Sequence, residues 1–403
     1  EYASNYIYDY LNKLGLNVWN LTYKIIVPYD YNSTLTIESP VKKQFRVYAL
    51  VPNMIQTCKG SYKGELIYVG EGNPKDYTGI NVTNKIILMD YNSKFNWMYF
   101  LNLGAKAVIF ICPILTVRGE SDFKILESPI KFPRAMISRE DAIYLLRLLR
   151  KGEKIIAELN LNMFWKEIAI KNIFAFIPGK SQDPNNTIMI ACHYDAYSVI
   201  PAYTPAADEA SSAAALLEFS RILTKYKPYR TVLIGFFSGY AMGMAGVRYF
   251  CEDIFFRHWS KPKIINGSKG LAQIFGDQIK IVLSFDFSTD SRSLALVTQG
   301  TFYGGFDWTR AGNIESIISY IRRIGEYSST DYTYKIGGKK YRMFLSILRL
   351  DRIGLPSQVN HLSEIFLHVG IFAMTFFTAE ASRILWETPC DICLLYTSPS
   401  PRD

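Results

Sequence analysis

The segment Ile188–Leu223 has the sequence IMIACHYDAYSVIPAYTPAADEASSAAALLEFSRIL, and it is the most informative one for the fold. A short apolar run ends in His-Tyr-Asp at residues 193–195, a loop follows, and Asp208 and Glu209 open an alanine-rich helix. A histidine and three carboxylates therefore lie where a buried strand gives way to a helix. In open α/β sheets, ligands bind beyond the carboxyl ends of the strands. The stretch is compatible with a polar loop at a sheet edge and with a metal site.

Length and composition restrict the class of protein. The chain has 403 residues, which suits two domains better than one. Apolar residues make up 49% of it and charged residues 20%, as in globular proteins. No window of 18 residues is uniformly apolar, so no membrane span is predicted. The net charge of +9 is spread along the chain without a basic block, so nucleic-acid binding is not expected.

The cysteines and the N-glycosylation sequons give information on the cellular compartment of the protein. The widely spaced thiols at Cys58, Cys112, Cys192 and Cys251 are interpreted as buried core groups and not as a disulfide framework. Asn-x-Ser/Thr sequons occur at Asn20, Asn32, Asn81, Asn185 and Asn266. They predict an extracytoplasmic or cell-surface chain, and chance matches in an Asn-rich sequence are the alternative.

Residues 165–388 alternate between strand-like and helix-like segments. The order is NIFAFIPG, TIMIACHYD, a helix from about residue 209 to 226, RTVLIGFFSG, AMGMAGVRYFCEDIF and IKIVLSFDFST. This alternation predicts an α/β fold with a mixed, mainly parallel sheet sandwiched by helices, to which residues 1–45 also contribute. His193, Asp195, Ser238 and Asp286 all fall at predicted strand ends, so they can converge on one site.

Residues 46–164 have a different texture, with short strands and turns. The pattern NKIILMD, NLGAKAVIFI and AMISREDAIYLLRLLRKGE includes a helix capped by Ser138 with Asp141 in its first turn. It resembles the protease-associated domain, a small β-rich insert found in several peptidase families.

The final segment, DICLLYTSPSPRD at 391–403, has neither helical nor strand period and resembles a translated sequencing adapter. We interpret it as a non-native tail, and the chain, which starts at Glu1, as a fragment or as the mature part of a longer protein.

Four motifs point to a family. They are HYD at 193–195, PAADEASSA at 205–213, FFSGYAMGMAGVRYF at 236–250 and Asp286 in IVLSFDFST. With them, residues 165–388 resemble the zinc aminopeptidase family of bacterial leucyl aminopeptidase, aminopeptidase Y and glutamate carboxypeptidase. That family also includes the inactive transferrin receptor and nicastrin. Its pattern is His-x-Asp, Pro-Gly-Ala-Asp-Asp-x-Ala-Ser-Gly, a Glu-Glu pair after a strand, an Asp ending a strand and a late His.

The resemblance carries several roles onto this sequence. It makes His193 and Asp286 zinc ligands, and Asp195 the residue that orients the imidazole of His193. Glu209 takes the place of the bridging aspartate, and Asp208 precedes it. The side chain of Glu209 is one methylene longer than that of the aspartate. The alternatives are a surface His and Asp at a strand end, an Asp that caps a turn, and two first-turn acids that complement a helix dipole.

The later motifs depart from the family pattern. Tyr240 stands where the general-base Glu is expected, and Ala241 stands where a Glu ligand is expected. A tyrosine hydroxyl is protonated at neutral pH and is a poor base. The late ligand His falls on Ser363, while His361 lies two residues earlier and Glu364 one later, as alternative donors from a shifted loop. His258 and His368 have no motif support and are expected to be structural.

These losses favour a metallopeptidase homologue that is catalytically impaired or inactive and binds zero to two zinc ions. Such a protein would bind a peptide or a partner protein in the ancestral cleft. The alternative is an active zinc-dependent aminopeptidase with a rearranged metal site, in which aromatic residues within 299–310 line a pocket or form a structural loop. A purely structural surface-layer component is a third possibility.

Overall fold

The computed structural model describes residues 1–181, 187–205, 207–256, 264–267, 270–273, 278–289, 293–297, 333–336, 339–342, 344–346, 361–379 and 383–392. The chain divides into two units. The sheet unit consists of Glu1–Ile25, Ala169–Asp195 and Asp208–Ser382. The barrel unit consists of Ile26–Ile168, Ala196–Ala207 and Arg383–Asp403.

The elements up to residue 177 are α1 (Tyr2–Lys13), β1 (Asn17–Asp30), β2 (Thr34–Ser39), β3 (Lys43–Ala49), β4 (Gly60–Tyr68), α2 (Pro74–Tyr77), β5 (Ile86–Asp90), α3 (Trp97–Asn102), β6 (Ala107–Ile111), α4 (Arg118–Asp122), β7 (Arg134–Ile137), α5 (Arg139–Arg150), β8 (Ile155–Leu161) and β9 (Met163–Ile177).

The later elements are β10 (Thr187–His193), α6 (Ala207–Lys225), β11 (Val232–Phe237), α7 (Ala245–Cys251) with a π-helical turn at Glu252–Phe256, β12 (Ile264–Gly267), β13 (Gly270–Gln273), β14 (Ile279–Asp286), β15 (Ser293–Val297), β16 (Thr333–Ile336), β17 (Lys339–Arg342), β18 (Phe344–Ser346), α8 (Leu362–His368) and β19 (Phe372–Ala379).

The sheet unit is built on one mixed sheet of eight strands, in the order β1-β9-β11-β10-β14-β19-β15-β18. Its centre is parallel, because β10 pairs in parallel with β11 and with β14, and β14 pairs in parallel with β19. The strands β9 and β15 pair with this centre antiparallel. The predicted mixed α/β class is therefore confirmed at this level.

Side chains of the central strands alternate between two buried clusters, as the two-residue period of a strand requires. One cluster joins the strands to α7 and α8 and contains Phe174, Met189, Ala191, Leu233, Val247, Phe250, Ile365 and Phe366. The other joins them to α1 and α6 and contains Ile7, Leu11, Ile173, Ala175, Ile190, Leu216, Leu217 and Ile234. Burial on both sides explains why TIMIAC and TVLIGFF are continuous apolar runs.

Some predicted features lie outside the described residues. They are His258 and the aromatic segment 299–310. Among the helices of the described ranges, none is long and apolar enough to cross a membrane.

The barrel unit closes seven strands in the order β2-β3-β7-β6-β5-β4-β8. Its central strands β4, β5, β6 and β7 are parallel, and the buried runs IILMD and AVIFI supply β5 and β6. Helix α5 begins after Ser138, whose Oγ accepts a hydrogen bond from the Asp141 amide at 3.1 Å. The predicted cap is thus confirmed.

The barrel begins earlier than the predicted insert at 46–164. Strand β2 pairs with both β3 and β8 and so closes the barrel, which brings Thr34–Ser39 into it. The likeness to a protease-associated domain stays a prediction. Of the predicted non-native tail, Asp391 is buried and its carbonyl accepts a hydrogen bond from the Ala207 amide at 3.2 Å. Residues 393–403 lie outside the described ranges.

A buried arginine lies inside the barrel unit. Arg134 is 1% exposed, and its two terminal nitrogens donate to the carbonyls of Lys124 and Val51 and to Asn53 Oδ1. Its guanidinium lies over the Trp97 ring, 4.7 Å from the centroid. Because a buried charge is expensive unless it is hydrogen-bonded, these partners explain how the core tolerates it.

A buried lysine accompanies it. The Lys124 Nζ donates to the Lys94 carbonyl at 2.9 Å and lies 3.3 Å from Glu120 Oε2. Burial lowers the pKa of Lys124 to about 8, against the opposing attraction of Glu120. The ammonium is therefore held in place at a cost to its charged form.

Candidate functional site

Three strand ends form one edge of the sheet. Strand β10 ends at His193 and β14 ends at Asp286, and Cys192 pairs with Phe285 in the parallel register. His193 also pairs with Phe237, the last residue of β11. The carboxyl ends of these neighbouring strands therefore lie side by side, as predicted from their sequence positions.

The loop after β11 is fixed by a buried amide. Asn172 Nδ2 donates to the Gly246 carbonyl at 2.8 Å, and Asn172 Oδ1 accepts from the Ser238 amide at 3.1 Å. The Gly246 amide donates to the Ser238 carbonyl at 3.0 Å, and a Cβ on Gly246 would lie 2.1 Å from that oxygen. Gly246 lies within the motif at 236–250, whereas Asn172 lies outside every motif that the sequence offered. The only signal for it was a polar residue at the start of an apolar strand.

Tyr240 and His193 lie against each other. Their rings are stacked with centroids 4.2 Å apart and an interplanar angle of 14°. Tyr240 thus places an aromatic face on the imidazole at the position where the family pattern has the general base. Ala241, at the position of the second glutamate, is exposed and offers no donor atom.

Asp195 contacts the loop after β11. Its Oδ2 accepts hydrogen bonds from the amides of Gly239 at 2.9 Å and Tyr240 at 3.0 Å. Burial raises the pKa of Asp195 to about 6, although these amide hydrogen bonds act to lower it. Its Oδ1 is buried and has no hydrogen-bond partner among the described residues. These partners differ from the predicted one, the imidazole of His193.

Asp286 and His361 are brought together. Asp286 Oδ2 lies 3.2 Å from His361 Nδ1, and His361 is 2% exposed. The two atoms are at ion-pair distance without hydrogen-bond alignment, so both ring nitrogens of His361 lack hydrogen-bond partners among the described residues. His361 precedes the first turn of α8, which explains how a residue two positions before the expected ligand reaches Asp286.

Ser363 and Glu364 have other partners. Ser363 Oγ lies 2.7 Å from Thr375 Oγ1, which in turn lies 2.6 Å from Ser284 Oγ. This buried hydroxyl chain joins α8 to β14 and β19. Glu364 Oε1 accepts a hydrogen bond from the His361 amide at 3.4 Å. Ser363 therefore has a packing role here, and Glu364 supports the start of the helix.

The two acids of α6 are buried in its first turn. Asp208 is 1% exposed and Glu209 is 7% exposed. The Ser288 hydroxyl donates to Asp208 Oδ1, which links the start of α6 to the segment that follows Asp286. Both carboxylates lie at the positive end of the helix dipole, which favours their charge.

A dizinc centre requires two donor sets joined by a bridging carboxylate. The predicted ligands were His193, Glu209, Asp286 and His361. In the described ranges, no three His, Cys, Asp or Glu side chains come together as a metal-binding group. Among the described residues, Asp286 and His361 form a close pair, with Oδ2 and Nδ1 3.2 Å apart. The described donor set does not fit a dizinc centre, and we derive no reaction step through one.

Comparison with known sequences agrees with the motif resemblance. Residues 172–335 match Peptidase family M28. A probable zinc metalloprotease of Pyrenophora teres f. teres is 30% identical over 92 residues, which is 22% of this chain and 19% of that protein. One of Pyrenophora tritici-repentis is 29% identical over 140 residues, or 33% of this chain and 30% of that protein. The matches thus span less than a third of the length of these curated relatives.

Solved structures share the fold. A zinc aminopeptidase from Bacillus subtilis aligns with a TM-score of 0.53 and 17% identity, over 97% of this chain and 82% of the other. A peptidase M28 precursor from Shewanella amazonensis has a TM-score of 0.53 and 15% identity, over the same shares. The predicted resemblance to this family is thus confirmed for residues 172–335, and the solved structures add agreement in fold.

Proposed function

We propose, on the premise that the chain is an M28 metallopeptidase homologue, that it is catalytically impaired or inactive and binds a peptide or protein at the strand edge. The observation that carries this proposal is the stack of Tyr240 on His193. The residue that replaces the expected base covers the imidazole that the family uses as a ligand.

Two residues that the family pattern uses for hydrolysis are replaced in this chain, at positions 240 and 241. A positioned general base contributes about 10²–10⁴-fold to rate, and the tyrosine hydroxyl at position 240 is protonated at neutral pH. The alanine at position 241 supplies no ligand in place of the second glutamate. Because the described donors do not form a group of three, the remaining residues also give a water molecule little activation.

Peptide binding requires neither a general base nor a metal-activated water, and the strand edge retains charged and polar side chains that can bind a ligand. Four carboxylates lie at strand ends or in the first turn of α6, against two histidines; they are Asp195, Asp208, Glu209, Asp286, His193 and His361. An excess of buried carboxylate favours a cation. The ammonium group of a peptide N-terminus is the cation that suits a relative of peptidases.

The proposal is tested by peptide binding with a matched pair of ligands. A library of short fluorescent peptides is titrated with free and with acetylated N-termini, in excess zinc and in chelator. We expect at least tenfold weaker binding of the acetylated peptides, and mass spectrometry should show that the free peptides stay intact.

Two variants locate the site. Asp286→Asn removes a buried carboxylate charge and should weaken binding, whereas Asp9→Asn, on the exposed face of α1, should leave it unchanged. Equal binding of free and acetylated peptides would overturn the ammonium site. Zinc-dependent cleavage at the rates of an ordinary peptidase would overturn the loss of catalysis.

One observation favours a second candidate function, an active zinc-dependent aminopeptidase with a rearranged metal site. Asp286 and His361 remain 3.2 Å apart and buried, so two donors of one metal set are in place. This function predicts hydrolysis of aminoacyl-p-nitroanilides that is restored by zinc after chelation and lost in His361→Ala.

We also infer an extracytoplasmic or cell-surface location. The sequon asparagines Asn20, Asn32 and Asn81 are exposed, so the sites are accessible to a glycosyltransferase. Expression in a eukaryotic secretory host should give protein whose mass falls on treatment with peptide N-glycosidase. Secretion without a mass change would remove this support.

A further inference from the structure

Two thiols of the barrel unit share one carbonyl. Cys112 Sγ and Cys390 Sγ each lie 3.8 Å from the Pro113 oxygen, and Cys390 Sγ lies 3.6 Å from the Ile114 oxygen. The two sulfurs are therefore separated by no more than twice the first distance. Cys112 is only half-buried, unlike the core thiols Cys58, Cys192 and Cys251, so an oxidant can reach it.

The segment that carries Cys390 is held in place by contacts that do not involve sulfur. The Arg118 amide donates to the Ile384 carbonyl, and Arg118 Nη2 lies 3.5 Å from Glu387 Oε2. The Arg118 guanidinium also lies over the Trp386 ring, 4.1 Å from its centroid. These contacts fix residues 384–390 beside the 112–118 loop, so the thiols are near each other before any bond forms.

Local backbone also permits the sulfurs to meet. Cys112 comes directly after β6 and Cys390 lies in a turn, so neither side chain is confined by the interior of a helix or strand. A disulfide needs Cβ atoms about 3.5–4.5 Å apart, and the loop and the turn are the parts of the chain that would adjust to reach this distance.

We propose that Cys112 and Cys390 form a disulfide when the protein meets a glutathione-type oxidant. The thiolate of one cysteine attacks oxidised glutathione, which releases one glutathione thiol. The second cysteine then attacks the mixed disulfide and releases the other. Two protein thiols are oxidised, one glutathione disulfide is reduced to two thiols, and the two protons leave with them.

The bond closes a loop that includes residues 113–389. Such a long loop loses much entropy in the unfolded state when it is cross-linked. We expect the oxidised protein to melt roughly 5 °C above the reduced one. Burial and the neighbouring Cys390 raise the pKa of Cys112 to about 11, so bond formation should be slow at neutral pH.

The test is peptide mapping without reduction, after incubation of the full chain with oxidised glutathione. Trypsin cuts after Lys106, Arg118 and Arg383, which yields peptides 107–118 and 384–402. The second peptide also carries Cys393, so the mapping is repeated on Cys393→Ser. We expect a linked 107–118/384–402 pair in both proteins, which disappears on reduction.

Variants give a second measurement that is independent of their folding. For each protein the melting temperature is compared between its own oxidised and reduced forms, so any basal destabilisation cancels. The difference should vanish in Cys112→Ser and Cys390→Ser and persist in Cys251→Ser. No linked pair in the wild type, or a pair lost in Cys393→Ser, would overturn the proposal.

Discussion

The barrel and the strand edge both bury groups that can carry charge, and they treat them differently. In the barrel, both terminal nitrogens of Arg134 donate to oxygens, which leaves only its Nε without a partner among the described residues. At the strand edge, His361 is equally buried, yet neither ring nitrogen has a hydrogen bond there. The terminal nitrogens of Arg134 thus find partners within the barrel, whereas the ring nitrogens of His361 have none among the described residues.

This difference separates a structural from a functional use of buried polarity. An unsatisfied buried group costs about 1–3 kcal/mol, which makes the ring nitrogens of His361 candidates for contact with a ligand. The backbone of the edge is nevertheless well ordered by hydrogen bonds, because Asn172 joins Gly246 to Ser238 in the loop after β11. We therefore expect stability to depend on the barrel side chains and on the edge backbone, and ligand binding to depend on the edge side chains.

The largest effect is expected at Gly246. The Gly246→Ala substitution places a Cβ 2.1 Å from the Ser238 oxygen and 2.5 Å from Asn172 Oδ1, neither of which can retreat without breaking the loop. We expect a loss of on the order of 4 kcal/mol in unfolding free energy, measured by urea denaturation.

The neighbouring Gly243→Ala is the matched control. Gly243 has φ +65° but nothing within 4 Å of an added Cβ. It should lose only about 1 kcal/mol from the left-handed backbone. Equal losses in the two variants would show that the close approach at Gly246 does not hold the loop.

The next effect tests the barrel. Arg134→Met leaves the carbonyls of Val51 and Lys124 and the side chain of Asn53 without their donor, in a site closed to water. We expect a loss of about 3 kcal/mol in unfolding free energy. Arg221→Met removes an exposed pair with Glu218 and should change it by less than about 0.5 kcal/mol. A similarly small change at Arg134 would show that its buried hydrogen bonds do not stabilise the barrel.

A smaller effect depends on pH. The pKa of Lys124 is lowered from 10.5 to about 8 in the folded protein, so between these values the unfolded state binds more protons. Wild-type stability relative to Lys124→Met should therefore rise by on the order of 1–3 kcal/mol from pH 8 to 10.5. The exposed Lys151→Met serves as control for alkaline effects in general. A difference that falls with pH would contradict the burial of a charged ammonium.

The smallest change in stability is expected at the edge. His361→Leu removes two unsatisfied ring nitrogens, so the unfolding free energy should stay within about 1 kcal/mol of the wild type. Peptide binding should nevertheless fall at least tenfold. If instead stability drops by several kcal/mol with binding intact, His361 is a structural residue and the contrast with Arg134 disappears.

The sheet and its edge could be predicted from sequence patterns because both depend on local signals. Continuous apolar runs marked β10 and β11, and parallel strands necessarily bring residues such as His193 and Asp286 to one edge. The same patterns could not find Asn172 or the hydroxyl chain through Thr375. Asn172 pairs with Ser238, 66 residues further along the chain, and Thr375 pairs with Ser284, 91 residues earlier. No local period in the sequence encodes pairs at such separations.

The roles of single site residues were harder to predict. A motif places Asp195 two residues after His193, but only the folded loop shows that its carboxylate meets the amides of Gly239 and Tyr240. Likewise, an alignment on Phe366 puts Ser363 at the ligand position, whereas the start of α8 brings His361 to Asp286. Loop geometry decides both, and one sequence does not contain it.

Zinc stoichiometry decides whether the strand edge still holds a complete metal site. The protein is reconstituted with excess Zn²⁺ and desalted, and bound metal is measured by elemental mass spectrometry beside Asp286→Asn. We predict no more than one zinc per chain, lost in the variant, because the described residues hold Asp286 and His361 3.2 Å apart but bring no three metal donors together. Two zinc ions per chain would contradict it, because Glu209 would then bridge a complete site and catalysis would no longer lack its metals.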